Sequence, residues 1–271
     1  NRFAEAAAHH EITGLDRDTY ALSPGVRGLT ADGRALVAEM VKRNMILDVA
    51  HLAPDALEGV FTEVSTRHAF YPLLNSHVKF KELVPFDKPA TAPPGFRHHD
   101  TMGDFAIDAR GAEVIRRTGG IAGLRVSMMR MRNFEPTPGR PVLPDTCPGS
   151  STSFAQLALY ARRDAQVNIA LGSDFNGFIT MTGPRGGPDA CPDFDTEAER
   201  RGTAVGPLVG SQTYQTGGVK TIAQLPDLLE DLAQMGGGVL APEVDNLRAS
   251  AENFIQMWER AWTPRGRRGL P

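Results

Sequence analysis

Four short apolar runs, each preceded by a stretch with helical periodicity, constrain the fold of this chain more than any other feature. The runs are Met45-Ile46-Leu47-Asp48-Val49-Ala50-His51, Tyr71-Pro72-Leu73-Leu74-Asn75-Ser76-His77, Ile121-Ala122-Gly123-Leu124-Arg125-Val126 and Val167-Asn168-Ile169-Ala170-Leu171-Gly172-Ser173-Asp174. Runs of this length and composition read as buried strands. Before the first, Thr30 stands as an N-cap with Asp32 in the first turn, and Leu36, Val37, Met40 and Val41 follow at helical spacing. Pro54 suits a first helical turn, and Leu57, Val60, Phe61 and Val64 continue that helix. Asp108 to Thr118 reads as the third helix, closed by Gly119-Gly120, and Phe154, Leu157, Ala158, Tyr160 and Ala161 mark the fourth. Strict helix-strand alternation means parallel strands covered by helices.

Two architectures fit, an open doubly wound sheet and a (β/α)₈ barrel of which four strands would be half. The long irregular stretches, 78–106, 127–150 and 175–219, all follow strands, whereas the helix-to-strand joins are short. That asymmetry predicts a barrel whose active face is built from its βα loops. Beyond the fourth strand, Ile222, Leu225, Leu228, Leu229 and Leu232 predict a helix ending at Gly236-Gly237-Gly238. A last helix carries Leu247, Ala251, Phe254, Ile255, Trp258, Ala261 and Trp262 on one face, so both tryptophans are expected in the core. No Pro/Gly/Ser linker divides the chain, and residues 1–271 are expected to form one domain.

The 271 residues carry a net charge of -3, from 29 basic and 32 acidic side chains. No basic surplus points to nucleic acid, and the cluster Arg265, Arg267, Arg268 after Pro264 reads as a solvated terminus. No apolar run approaches a membrane span. Cys147 and Cys191 each precede a proline in a loop, and the sequence leaves open whether they pair. The compartment stays open with them. There is no initiator Met and no signal peptide, and Asn1-Arg2-Phe3 reads as the middle of something longer.

The chemistry gathers at strand ends. His51 and His77 occupy equivalent positions one βα unit apart, where neutral imidazoles can offer nitrogens to zinc. Asp174, in Gly172-Ser173-Asp174-Phe175-Asn176-Gly177, can bind metal or move a proton. Arg97, in Arg97-His98-His99-Asp100, suits bidentate capture of a substrate carboxylate. His98 and His99 point apart as neighbours, and His9, His10 and His68 are expected at the surface. Ser76 and Ser173 lie in no G-x-S-x-G elbow, and no nucleotide-binding fingerprint is present.

In their order along the chain these segments resemble the membrane (renal) dipeptidases of the amidohydrolase superfamily. Gly28-Leu29-Thr30-Ala31-Asp32-Gly33 resembles the family's G-L-T-x-x-G helix opening. Met45 to Leu52 resembles I-D-L-S/A-H-V, Asn75-Ser76-His77 resembles S-H-S, and Gly119-Gly120-Ile121 resembles G-G-V-I. Gly172 to Gly177 resembles G-S-D-F-D-G, and Asn253 to Trp258 resembles N-F-x-R-V-W. The resemblance runs from Gly28 to Trp262.

The resemblance implies a (β/α)₈ barrel, with this chain covering about the last four β/α units and lacking the N-terminal strands. It implies two zinc ions in the complete enzyme and hydrolysis of a dipeptide or dipeptide-like amide. By position, His51 and His77 are expected to ligate one zinc, Asp174 to carry the proton, and Arg97 to hold the substrate carboxylate. The family's strand-one H-x-D pair and its bridging glutamate cannot be placed at the end of any apolar run here, so a further N-terminal segment or second chain is expected, and this chain by itself is expected to be inactive. Asn176 replaces the usual Asp and Val78 the usual Ser, which leaves substrate preference open. A homodimer is left open too. The alternatives are an amidohydrolase acting on a lactone, ester or N-acyl amino acid, and a metal-free barrel serving as a binding module.

Overall fold

The computed structural model describes residues 28–52, 54–83, 106–127, 147, 149–176, 179, 181–185 and 212–263. The elements follow the order helix α1 (Ala31–Lys42), strand β1 (Leu47–Asp48), α2 (Pro54–Arg67), β2 (Leu73–Val78), α3 (Ala109–Arg117), β3 (Ile121–Leu124), α4 (Ser151–Leu159) and β4 (Asn168–Leu171). Four helices follow: α5 (Gln212–Gly217), α6 (Leu225–Gln234), α7 (Ala241–Arg248) and α8 (Ser250–Trp262). The expected caps form. Thr30 accepts from the Gly33 amide at 3.0 Å and starts α1, and Asp108 accepts from the Gly111 amide at 2.9 Å and starts α3. A π-turn, Tyr160–Asp164, extends α4.

The four strands are parallel and lie in sequence order, each beside its predecessor. A doubly wound sheet reverses direction at a switch point. This order has none and is that of a barrel wall. The strands are shorter than the apolar runs. β1 keeps only Leu47 and Asp48, because the chain beyond it turns so sharply that His51 adopts φ 65°.

The larger apolar cluster packs α4, α6 and α7 against β3 and β4, with Leu124, Leu157, Ile169, Leu228 and Leu232 among its most buried members. A smaller cluster joins α1 and α2 to β1 and the start of β2 through Val41, Leu47, Val64 and Leu73. Under α4, Asp231 of α6 is 1% exposed and accepts from Ser151 and from Arg185 Nε (3.2 Å) and Nη2 (2.5 Å). This network ties the segment after β4 to the helical layer. Cys147 is disulfide-bonded, while Cys191 and Arg265 to Arg268 lie outside the described residues.

The outward edge of β4 meets no fifth strand among the described residues. Its backbone groups are satisfied by side chains of α8 instead. The Leu171 amide donates to Ser250 Oγ at 2.9 Å, and the Ile169 carbonyl accepts from Asn253 Nδ2 at 3.0 Å. Paired or covered edge groups are what a stable strand edge requires.

That contact rotates α8 away from its expected orientation. Asn253, Met257 and Ala261 form the buried face, while Phe254, Ile255, Trp258 and Trp262 are exposed, the last at 58%. The tryptophans are therefore not core residues. Hydropathy places the most apolar stripe inward, but the two edge hydrogen bonds turn a polar residue inward. His68, expected at the surface, is buried at the end of α2 with Nε2 3.4 Å from Glu63 Oε1.

Candidate metal centre

A break in strand register sets the direction of His77. On β2, Asn75 pairs with Ala122 and Val78 pairs with Leu124. Ser76 and His77 thus oppose the single residue Gly123, which is a β-bulge. Strict alternation would place His77 on the face of Asn75, which packs toward the helices and is buried. The bulge returns Val78 to that face beside Leu124 and leaves His77 on the opposite one.

Two glycines make room for the bulged peptide. A Cβ on Gly123 would lie 2.2 Å from the Ser76 carbonyl oxygen, and one on Gly172 would lie 2.0 Å from the same oxygen. No side chain at either position is compatible with that carbonyl.

Asp48 joins the two halves of the site. One carboxylate oxygen accepts from the Ala50 amide at 3.0 Å and from the Ser76 amide at 3.1 Å. The first bond closes the turn that carries His51, and the second reaches the bulge that carries His77. The Val49 amide adds a 2.7 Å bond to the Leu74 carbonyl. With the turn and bulge held together, His77 Nε2 and His51 Nε2 face each other at 2.5 Å, with ring centroids 4.5 Å apart. Ser76 Oγ sits 2.8 Å from His77 Nδ1 and fixes the ring's orientation. Burial lowers the His77 pKa, Asp174 and Asp48 oppose the shift, and His51 and Arg125 add to it. The His77 ring therefore favours the neutral form that ligates metal.

The donor set fits part of a zinc shell. With zinc-nitrogen bonds of about 2.0–2.1 Å, two nitrogens in a tetrahedral shell stand about 3.3 Å apart. The histidines would need to separate by under about 1 Å to reach that spacing. No third His, Cys, Asp or Glu joins them in a metal-holding group among the described residues.

Asp174 lies beyond β4 with φ 51°, as unusual for a side-chain-bearing residue as His51. Its Oδ2 receives Arg125 Nη2 at 2.9 Å. Arg125 follows β3 and Lys79 follows β2. Lys79 is 6% exposed, and its pKa is pulled down to about 8 by burial first and by Arg125 second, against the pull of Asp174. Burial also lowers the Arg125 pKa, and Asp174 opposes it.

Of the residues expected from sequence, His51 and His77 meet directly, and Asp174 acts on His77 through charge at the same end of the sheet. Arg97, with His9, His10, His98 and His99, lies outside the described residues. Asp48, Lys79 and Arg125 belong to the same rim and were not marked out by sequence reasoning. The rule that placed His51 and Asp174, a polar residue closing an apolar run, applies equally to Arg125 after Leu124.

No protein-family model and no curated protein matches the chain. Solved structures do. Dipeptidase AC, a metallopeptidase of family M19, superposes with a TM-score of 0.51 at 19% identity, over 87% of this chain and 50% of its own. A metallopeptidase from Rhodobacter sphaeroides, solved with a phosphinate mimic of the dipeptide L-Ala-D-Ala, gives the same TM-score and identity over 87% of this chain and 48% of its own. The chain shares the fold of these metallopeptidases. It spans about half the length of each.

Proposed function

We propose that this chain forms part of a metal-dependent hydrolase of dipeptides or dipeptide-like amides. The observation that carries the proposal is the approach of His51 Nε2 and His77 Nε2 to 2.5 Å at the carboxyl end of a consecutive parallel sheet, with Asp174 on the same rim. In this reading residues 1–271 belong to one barrel domain and supply about its last four β/α units. The remaining metal ligands come from outside the described residues.

His51 and His77 would hold zinc through Nε2, with the Ser76 hydroxyl on Nδ1 keeping the His77 ring in place. Bound zinc would supply Lewis acidity toward the scissile carbonyl and make a water easier to deprotonate. The other steps belong to this chain. Arg125 engages Asp174 Oδ2, which leaves Oδ1 to take the proton of the attacking water and return it to the departing amine nitrogen. Arg97 is assigned the substrate's terminal carboxylate.

The test is hydrolysis of a panel of dipeptides by this chain together with the segment or second chain that completes the barrel, with and without chelator and with zinc added back. Chelator should abolish cleavage and zinc restore it. His51→Ala should remove bound metal and activity together. Asp174→Asn should keep the metal and lower kcat by about 10²–10⁴-fold. Chelator-insensitive cleavage, or a chelator-sensitive Asp174→Asn variant of full activity, would overturn the assignment. A folded protein that binds no zinc would instead support the binding-module alternative, and cleavage of lactones, esters or N-acyl amino acids alone would redirect the substrate class.

A further inference from the structure

Helix α8 is apolar over more of its circumference than the fold covers. Its buried stripe is narrow and consists of Asn253, Met257 and Ala261. At roughly 100° per residue, Phe254, Ile255, Trp258 and Trp262 gather on one flank of that stripe, and Glu252, Gln256 and Glu259 on the other. The apolar flank is exposed, with Ile255 at 42%, Trp258 at 44% and Trp262 at 58%. The two indole rings meet edge to face with centroids 6.4 Å apart, which joins them into one apolar surface. The stripe holds the edge of β4 through Asn253, so the apolar flank looks away from that edge.

Area and charge identify what this flank fits. Its four exposed side chains offer on the order of 400 Å² of apolar surface, within the range of the largest patch on an ordinary monomer. That is about half of what one partner contributes to a standard stable interface, so the flank suits a small, reversible contact completed by polar groups around it. Charge sets the sense of that contact. Glu252 stands in the first turn of α8, and the sequence after the helix continues into Arg265, Arg267 and Arg268, which lie outside the described residues. An antiparallel pair of α8 helices sets each basic end against the partner's Glu252, whereas a parallel pair sets the two basic ends together. Antiparallel pairing also opposes the helix dipoles. With a two-fold axis at Trp258, Phe254 faces the partner's Trp262 and the patch covers itself. A lipid surface fits less well, because an interfacial helix carries Lys and Arg on its polar face, where α8 carries Glu252, Gln256 and Glu259.

We propose that this flank of α8 is a homodimer interface, on which a second copy of the chain packs its own α8 antiparallel across Trp258. Trp258 and Trp262 are the anchors, as large aromatic side chains at the centre of a contact usually are. The face includes no residue of the strand-end site, so dimerisation and hydrolysis are separate properties.

The experiment is sedimentation velocity of the purified chain over about 1–100 µM, the range in which so small an interface associates, with tryptophan emission and acrylamide quenching followed over the same range. Trp258 and Trp262 are the two tryptophans of the chain, so emission reports this face alone. A monomer–dimer equilibrium is expected, with emission moving to shorter wavelength and acrylamide access falling as the dimer forms. Trp258→Ser should weaken the dimer at least tenfold, with Trp262 remaining as reporter, and Ile255→Lys should do the same. Glu252→Lys should weaken it several-fold, and Gln256→Ala on the opposite flank should leave it unchanged. All four positions are exposed, and far-UV circular dichroism checks that each variant folds.

A chain that stays monomeric throughout the range, a dimer indifferent to both Trp258→Ser and Ile255→Lys, or a dimer whose tryptophans stay open to acrylamide would each overturn the proposal. So would emission that shifts only on phosphatidylglycerol vesicles, which would give the face to a lipid surface. Emission that shifts only when the segment or second chain completing the barrel is added would give it to the rest of the barrel and overturn the proposal equally. A dimer unmoved by Glu252→Lys would overturn the antiparallel sense.

Discussion

Gly123→Ala should damage the fold and the site through one contact. The added Cβ would lie 2.2 Å from the Ser76 carbonyl oxygen and 2.8 Å from its carbon, both main-chain atoms. Carbon and oxygen repel strongly inside roughly 3.2 Å, so one backbone must retreat by about 1 Å. Overpacking of a core costs roughly 1–3 kcal/mol, and immobile main chain places this case in the upper half of that range. At about 2–4 °C per kcal/mol for a large domain, Tm should fall by about 4–12 °C. Gly172→Ala meets the same oxygen at 2.0 Å and should cost as much. The Ser76 oxygen is common to both clashes, but a Cβ on Gly172 also lies 2.8 Å from the Gly123 backbone, so moving Ser76 relieves Gly172→Ala only in part, and the double variant should depart from additivity by at least about 0.5 kcal/mol. Thermal unfolding by circular dichroism measures all three. Gly237→Ala is the control, since nothing lies within 4 Å and only its φ of 67° opposes a side chain. The retreat of Ser76 also carries His77 away from His51, which the histidine ring resonances report. A Gly123→Ala variant with wild-type Tm and unchanged resonances would refute the argument that the bulge packs against this glycine.

Three further outcomes follow from the same geometry. Asn253→Ala should cost about 1–3 kcal/mol in denaturant unfolding, because the Ile169 carbonyl loses its partner at the edge of β4; an unchanged midpoint would show the edge satisfied in another way. Asp48→Ala frees the Ala50 and Ser76 amides together, so it should lower zinc affinity at least tenfold although Asp48 is not a proposed ligand, while Asp48→Asn should retain part of it. In metal-free protein the His77 pKa lies below 6.5, so the unfolded chain binds more protons than the folded one in the window beneath that value. Stability should therefore fall as pH drops from 6.5 through the lowered folded pKa, and the Tm-pH slope in that window should flatten in His77→Gln.

Much of the architecture was legible because it follows from local rules. Thr30 and Asp108 start helices where their side chains can accept an amide, and apolar runs of strand length sit between them. The order of units then implies parallel strands. The candidate site was half legible for the same reason: a polar residue closing an apolar run marks the functional end of a parallel strand. Arg125 met that rule and was passed over, and Lys79 lay beyond its run. The buried face of α8 was misjudged because hydropathy cannot report a hydrogen bond to a strand distant in sequence. Asn253 and Ile169 are such a pair.

The sequence by itself determined the alternation of helix and strand, the helix starts, and the presence of His51, His77 and Asp174 at strand ends. Each depends on neighbours within a few residues, whose propensities and caps act locally. Tertiary structure alone decided that the two imidazoles meet. That meeting requires an extra residue in β2 opposite Gly123, a carbonyl seated over two glycines of other strands, a shared Asp48 carboxylate, and left-handed backbone at His51 and Asp174. These are conditions on chain segments tens of residues apart. No periodicity or spacing encodes them, because the energy that holds a bulge or a positive φ in place comes from packing against the rest of the fold.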